Sequence, residues 1–205
     1  MTLADAGRRS DGQSFIDRLT AQDLMSIWPE DLGWSQDIGA LAILDRSGLH
    51  DSGGRFRIEI ARDEIGRRLH QVPRFRQLLY QPAFGLGWPL WVDAPAFDVA
   101  EHVRVLPLGA HIDEMRLLLA CEELRSRRLN RSRPLWEMWF LPGLPGGRVG
   151  LFIKVHHSIA DGVAGIAALG AFFDTVPDPH VTIEPPWSPR ARPSWAPACG
   201  ATSRA

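Results

Sequence analysis

The first half of the chain contains two stretches in which apolar residues recur at helical spacing. The first begins at Thr20, where the hydroxyl side chain and Asp23 three residues later have the pattern of a capping box. We expect this helix to end at Pro29, because a proline ring disrupts a helix interior. The second stretch spans residues 57–71 and ends before Pro73. Its apolar face comprises Ile58, Ala61, Ile65 and Leu69.

Four other apolar segments of the first half have the length and composition of strands. Residues 37–45 form an apolar run between two charged residues. Two short strands are predicted over residues 75–80 and 88–92, and a longer one over residues 97–106. The first half is therefore predicted to mix helices with short strands.

The second half opens with the longest predicted helix, over residues 112–129. Acidic residues lie at its start and arginines at its end, an arrangement that the helix dipole favours. Two apolar runs, residues 135–141 and 149–155, then flank a turn rich in glycine and proline, which predicts a β-hairpin. A last helix is predicted over residues 162–173.

The mixture of helices with antiparallel strands favours an α+β fold, a two-layer α/β sandwich, over a doubly wound parallel sheet. We expect a flexible N-terminus over residues 1–14, one folded unit over residues 15–176, and a proline-rich connector with a poorly ordered tail over residues 177–205. Trp136 and Trp139 have an odd separation in a predicted strand. They should therefore lie on opposite faces, one of them in the core.

Composition and charge narrow the functional classes. The 205 residues are 45% hydrophobic and 23% charged, the balance of an ordinary globular protein. The net charge of −1 gives no overall electrostatic support for binding nucleic acid, so no nucleic-acid partner is expected. Cys121 and Cys199 lack metal-binding spacing, and we expect a reducing compartment without a structural disulfide. The sequence shows neither a signal peptide nor an apolar run of about 18 residues, so no membrane-spanning helix is expected.

The strongest candidate for chemistry is the segment HHSIADG at residues 156–162, which follows a predicted buried strand. Imidazole has the unperturbed pKa nearest to working pH, so a histidine held at a strand end can act as a general base towards an alcohol. If extended geometry persists, His156 and His157 point to opposite faces, and one ring can act while the other braces the backbone. Asp161 could orient His157 or pair with an arginine. Gly162 lets the chain turn into the next helix.

Other interpretations remain open at this point. The segment could be a buried strand end with two hydrogen-bonded histidines and no chemistry. It could also belong to a zinc hydrolase with His156, His157 and Asp161 as ligands, although adjacent strand side chains point apart. A nearby group of arginines could bind anionic lipid head groups, but such a run is more often a solvated helix end. The group comprises Arg125, Arg127, Arg128, Arg131 and Arg133.

Besides HHSIADG, four further segments have a distinctive sequence: LTAQD at residues 19–23, VPRFR at 72–76, NRSRPLWE at 130–137 and PWSP at 186–189. Together these segments resemble the bacterial wax ester synthase/diacylglycerol acyltransferase family, part of the CoA-dependent acyltransferases with an HHxxxDG motif. The resemblance covers most of the chain. It implies a fold like one half of chloramphenicol acetyltransferase or of a peptide-synthetase condensation domain.

The resemblance also implies an activity. The expected enzyme is an O-acyltransferase that moves a long-chain acyl group from acyl-CoA to diacylglycerol and forms triacylglycerol; the alternative is a wax ester synthase that uses a long-chain alcohol. His157 would be the general base and His156 a supporting residue. Asp161 would be structural and paired with an arginine, for which Arg74 and Arg76 are candidates. Acyl-CoA is then a co-substrate whose phosphates the arginine group could bind, and neither a cofactor nor a metal is expected. Whichever of Trp136 and Trp139 lies away from the core is a candidate for contact with the acyl chain.

Members of this family have a second half that supplies the other wall of the acyl channel. By resemblance we therefore expect either a complementary C-terminal half or self-association to cover the exposed apolar surface, or else a non-catalytic half. Family members act in the cytoplasm, some of them at the inner membrane surface or at lipid inclusions. The expectation for this chain is a cytoplasmic location with peripheral contact to a membrane or lipid droplet.

Overall fold

Two β-sheets and three α-helices form the part of the chain that the computed structural model describes, residues 17–45, 48–82, 87–109, 112–159, 170, 172 and 187–190. The helices are α1 (Ala21–Asp31), α2 (Ile58–Arg68) and α3 (Glu114–Ser126). The strands are β1 (Asp17–Arg18), β2 (Asp37–Leu44), β3 (Gln77–Tyr80), β4 (Leu90–Asp93), β5 (Val103–Val105), β6 (Trp136–Pro142) and β7 (Val149–His156). None of the helices in this part is long and apolar enough to span a bilayer.

The larger sheet has the strand order β2-β7-β6-β5. β7 is antiparallel to both of its neighbours, and β5 runs parallel to β6. The smaller sheet has the order β1-β4-β3 and is antiparallel throughout. The β6–β7 pair is the predicted hairpin, and the combination of sheets and helices confirms the α+β class.

β7 is buried along its whole length, because it lies inside the larger sheet and both of its own faces are covered. On one face, Leu151 and Ile153 join the main core with the apolar side of α2. On the other face, Phe152 packs with Leu117 and Leu124 of α3. A strand packed on both sides has little freedom to shift, so the residues at its end are held in fixed positions.

α1 begins as predicted but ends later. The Thr20 hydroxyl accepts a hydrogen bond from the Asp23 N–H at 3.1 Å, and the Asp23 carboxylate accepts from the Thr20 N–H at 2.8 Å, which confirms the capping box. The prediction that Pro29 ends the helix was wrong, since α1 continues to Asp31. Pro29 lies in the last turn, where its missing N–H costs one hydrogen bond, and its carbonyl still accepts from the Leu32 N–H at 3.1 Å.

Two strand predictions were too long. In place of a strand over residues 97–106, a 3₁₀ turn spans Val99–Glu101 and the strand is β5 alone. The Asp98 carboxylate bends the chain there by accepting a hydrogen bond from the Ala100 N–H at 2.8 Å. Similarly, the strand predicted from residue 75 begins at β3, because Pro73–Arg76 forms a 3₁₀ turn.

Most of the predicted helix over residues 162–173, Gly170 and Phe172 excepted, lies outside the described residues, as do residues 1–14. The two predicted boundaries between the three segments therefore remain predictions. Of the proline-rich segment, residues 187–190 are described and contact the smaller sheet. The Arg190 guanidinium binds the Asp93 carboxylate at 3.1 Å, and the Arg76 guanidinium lies 5.2 Å from the centre of the Trp187 ring.

Candidate active site

His157 lies just beyond the end of β7, in a 3₁₀ turn that spans His157–Ile159. Extended geometry therefore stops at His156, and the side-chain alternation of the strand does not continue to His157. The His157 ring is half-buried. The His157 N–H donates to the Gln36 carbonyl at 2.9 Å, which ties the turn to the start of β2. Its Nδ1 atom is buried and has no hydrogen-bond partner within the described part of the chain.

His156 is completely buried beneath this turn. Its Nδ1 atom lies 2.7 Å from the Ser158 hydroxyl and accepts a hydrogen bond from the Ser158 N–H at 3.1 Å. Its Nε2 atom lies 3.4 Å from the Glu30 Oε2 atom but forms no hydrogen bond with it, so this contact is electrostatic. The supporting role of His156 stays a prediction. His156 would perform this role through these contacts, which connect it to the turn that contains His157.

A cluster of charged side chains also lies beneath this turn, and the sequence patterns did not predict it. The cluster comprises Glu30, Arg131, Asp37 and Lys154. Glu30, 4% exposed, lies in the last turn of α1. The Arg131 guanidinium binds it, with Nε and Nη2 at 2.8 and 2.6 Å from Oε2. Burial works against ionisation of this carboxyl, but the neighbouring His156 and Arg131 outweigh it and lower the pKa of Glu30 to about 2.

Lys154, the only lysine of the sequence, forms the second ion pair of this cluster. Its ammonium lies 3.0 Å from the Asp37 carboxylate. It also donates to the last carbonyls of α3, those of Leu124 at 3.4 Å, Arg125 at 3.2 Å and Arg127. A positive charge at a helix C-terminus is stabilising, so Lys154 joins β7, β2 and α3 at one point.

The sequence indicates a buried role for Lys154 but not for Glu30. A lone lysine in a strand that is otherwise apolar rarely becomes buried without a partner, so Lys154 could have been recognised as paired. Glu30 could not, because its partners Arg131 and His156 are distant along the chain. In addition, the predicted helix end at Pro29 placed Glu30 in a loop.

Asp161 and Gly162 lie outside the described residues, so the structural role and the arginine partner of Asp161 stay predictions. Of its two candidate partners, Arg74 binds the Asp17 carboxylate at 2.7 Å and lies 4.7 Å from the centre of the Trp91 ring. Arg76 donates to the Gly66 carbonyl at 3.3 Å. Of the two tryptophans predicted on opposite faces of β6, Trp136 is fully buried in the main core and Trp139 packs against the cluster beneath α3.

Glu30, Asp37 and His156 offer ligand atoms within 4.8 Å of one another, which is close enough to hold a metal ion. Each carboxylate already has a cation beside it, however, because Arg131 binds Glu30 and Lys154 binds Asp37. The charge of this group is balanced by protein side chains. The donor set also differs from that of the zinc hydrolase considered from the sequence, since His156 faces Glu30 and not a ligand shared with His157.

The arginine group is largely ion-paired. Arg125 binds Glu122 at 2.7 Å, and Arg127 binds Glu123 at 2.5 Å. Arg131 binds Glu30 and Asp31, and Arg133 binds Glu101 at 2.9 Å. The Arg128 guanidinium lies beside Gly33, after the end of α1. Carboxylates thus compensate much of the positive charge, and binding of CoA phosphates by these arginines stays a prediction.

Comparison with known proteins decides the family. Residues 19–204 match the family model of the wax ester synthase/diacylglycerol acyltransferase catalytic domain. The chain belongs to this family. The match covers every described strand except β1, and it includes the HHSIADG segment, so His156 and His157 lie within the part of the chain that matches the family's catalytic domain.

Curated relatives from Mycobacterium tuberculosis are named as diacylglycerol O-acyltransferases. "Probable diacyglycerol O-acyltransferase tgs3" is 32% identical over 182 residues, which cover 87% of this chain and 64% of the relative. "Probable diacyglycerol O-acyltransferase tgs1" is 35% identical over 161 residues, which cover 78% of this chain and 33% of the relative. The chain thus spans about a third to two thirds of the length of these relatives.

Solved structures agree with the fold. The wax ester synthase/diacylglycerol acyltransferase from Marinobacter aquaeolei VT8 matches with a TM-score of 0.58 and 27% identity, over 73% of this chain and 36% of that one. The starter condensation domain of rhizomide synthetase in complex with C8-CoA matches with a TM-score of 0.56 and 17% identity, over 78% of this chain and 34% of that one. The second match supports the fold alone, and together they confirm one half of the condensation-domain architecture.

Proposed function

We propose that this chain is an acyl-CoA-dependent O-acyltransferase that transfers a long-chain acyl group to diacylglycerol and forms triacylglycerol, with His157 as the general base. The observation that carries the proposal is the position of His157. It is a half-buried imidazole in a fixed turn at the end of a strand buried on both faces, within a chain of this family. The names of the relatives support the substrate class.

In the proposed reaction, the His157 imidazole takes the proton of the acceptor hydroxyl. The hydroxyl oxygen attacks the thioester carbonyl carbon of acyl-CoA and forms the new ester bond. The carbon–sulfur bond breaks, and the CoA thiolate takes the proton back from the imidazolium. No serine or cysteine nucleophile is needed. General base catalysis of this kind typically contributes about 10²–10⁴-fold to the rate.

The test is transfer of labelled palmitoyl-CoA to diacylglycerol by the purified chain. His157→Ala should reduce product by about 10²–10⁴-fold without loss of folding, since its half-buried ring is not part of either core. His70→Ala is a matched control, because His70 lies in the turn after α2 and bonds only the backbone carbonyl of Arg67 in the described contacts. Equal product from His157→Ala and wild type would refute the assignment of the base.

Two further parts of the proposal concern the acceptor and the rest of the fold. Hexadecanol in the same assay distinguishes wax ester synthesis from triacylglycerol synthesis. The chain covers only part of each relative, which supports a complementary C-terminal half, or a second copy, as the partner that completes the acyl channel. A folded wild-type chain that forms product only when that partner is added would identify the isolated chain as a non-catalytic half.

A lipid surface is a further proposed partner, in keeping with a cytoplasmic enzyme in peripheral contact with a membrane or lipid inclusion. Four large apolar side chains are exposed on α1 and the turn after it, a combination typical of interfacial binding. They are Met25, Trp28, Leu32 and Trp34, which are 59–82% exposed. Replacing Trp28 and Trp34 by serine should reduce co-sedimentation with phosphatidylglycerol vesicles. Met115→Ser on α3, also exposed, should not.

A further inference from the structure

The chemistry of the His156 ring follows from its partners. A backbone N–H can only donate, so the bond from the Ser158 N–H to Nδ1 requires a lone pair on Nδ1. In the neutral imidazole the ring proton is then on Nε2, which lies 3.4 Å from the Glu30 carboxylate, an electrostatic contact without hydrogen-bond geometry. The Glu30 carboxylate therefore favours the tautomer with the proton on Nε2. In this tautomer, Nδ1 can accept the hydrogen bond from the Ser158 N–H.

The same contacts hold His157 from both sides. Its own N–H donates to the Gln36 carbonyl at 2.9 Å, and the N–H of the next residue donates to His156. The Ser158 hydroxyl adds a second contact to the same Nδ1 atom at 2.7 Å. If His156 changed tautomer or rotated, one of the two backbone contacts that set the direction of the His157 side chain would be lost.

We propose that Glu30 is a positioning residue, which acts through the tautomer of the buried His156 to hold the His157 turn; its catalytic consequence rests on the proposed role of His157. Glu30 is well placed for this because it is held in turn by Arg131. It reaches the turn from α1, an element separate from the hairpin that carries both histidines. Within the described residues, no hydrogen bond or ion pair joins Glu30 to His157 itself.

Glu30→Gln tests the proposal, because it removes the charge and keeps the shape. The variant should fold, since Arg131 keeps Asp31 as a partner at 2.6 Å. In ¹⁵N-histidine NMR spectra we expect the wild-type His156 ring to show protonated Nε2 and unprotonated Nδ1. In Glu30→Gln this difference between the two nitrogens should shrink, and the His157 ring signals should shift.

Two variants provide the controls. Asp31→Asn removes a carboxylate that also binds Arg131 but lies away from His156, and its histidine signals should match wild type. Glu30→Asp keeps the charge and should retain the wild-type tautomer. Unchanged His156 and His157 signals in Glu30→Gln, or equal changes in Asp31→Asn, would overturn the proposal.

Kinetics then separate this inference from the proposed function. In an active preparation, Glu30→Gln should lower kcat by about 10²-fold with little change in KM, as expected for a misplaced base. A kcat equal to that of wild type would contradict positioning. If His157→Ala keeps full activity, or if no preparation is active, the proposed function fails on its own assay, and the NMR spectra still decide whether Glu30 holds the turn.

Discussion

The Lys154 ammonium lies 3.0 Å from the Asp37 carboxylate, and both side chains are 1% exposed. This is a buried ion pair between adjacent strands, and the same ammonium group binds the C-terminal carbonyls of α3. Removing one partner of such a pair leaves the other charge buried and uncompensated. Lys154→Met should therefore lower the free energy of unfolding by about 3–5 kcal/mol.

Urea denaturation followed by circular dichroism measures this change. Arg148→Met is the matched control, because Arg148 is an exposed cation whose described hydrogen bond is to the Pro145 carbonyl in the same turn. A Lys154→Met protein with wild-type stability would contradict the prediction, because it would show that leaving the Asp37 carboxylate buried without its partner costs no stability.

Glu30 should make stability depend on pH in the acid range. Its pKa is lowered from 4.5 to about 2 in the folded chain, so the folded state favours the ionised carboxylate more than the unfolded state does. The stabilisation is complete above pH 4.5 and is lost as the pH falls from 4.5 towards 2. Urea denaturation at several pH values should show that the free energy of unfolding falls less steeply with decreasing pH in Glu30→Gln than in wild type. Parallel pH curves for the two proteins would contradict the prediction.

Trp136 should be the most costly tryptophan to remove from the described sheets. It is fully buried, its indole N–H donates to the Phe75 carbonyl at 2.8 Å, and its ring stacks on that of His102 at 4.5 Å. Trp136→Ala should destabilise by about 3–5 kcal/mol, from lost burial and an unpaired carbonyl. Trp139→Ala, at a half-buried position on the other face of β6, should cost clearly less in the same thermal unfolding experiment.

Replacing Gly39 or Gly66 by alanine should change the stability of the protein in opposite directions. A Cβ on Gly39 in β2 would lie 2.9 Å from the Phe152 ring, which is buried and cannot move freely. Gly39→Ala should destabilise by about 1–3 kcal/mol through overpacking. Gly66 lies inside α2 with nothing within 4 Å of its added Cβ, so Gly66→Ala should stabilise by about 0.5–1 kcal/mol. Thermal unfolding of both variants checks the two signs, and a stabilising Gly39→Ala would disprove the close contact.

Much of the fold could be predicted from local pattern. The capping box of α1, the apolar face of α2, the acidic start of α3 and the β6–β7 hairpin were all correct, because each depends on residues close together in the sequence. The errors have the same origin. Pro29 and Asp98 act within a single turn, and whether such a turn ends a helix or interrupts a strand depends on the partners that its backbone finds nearby.

The sequence by itself determined the candidate chemistry of this protein, since a histidine pair after an apolar strand is a local pattern, and it also determined the α+β class. Only the tertiary structure decided what lies beneath that pair. It brings Glu30 to His156 and Asp37 to Lys154 across large separations in the chain, and it ends β7 at His156 so that His157 sits in a turn. The physical reason is that a buried charge needs a partner, but the sequence does not show which distant residue the packing of strands and helices will supply.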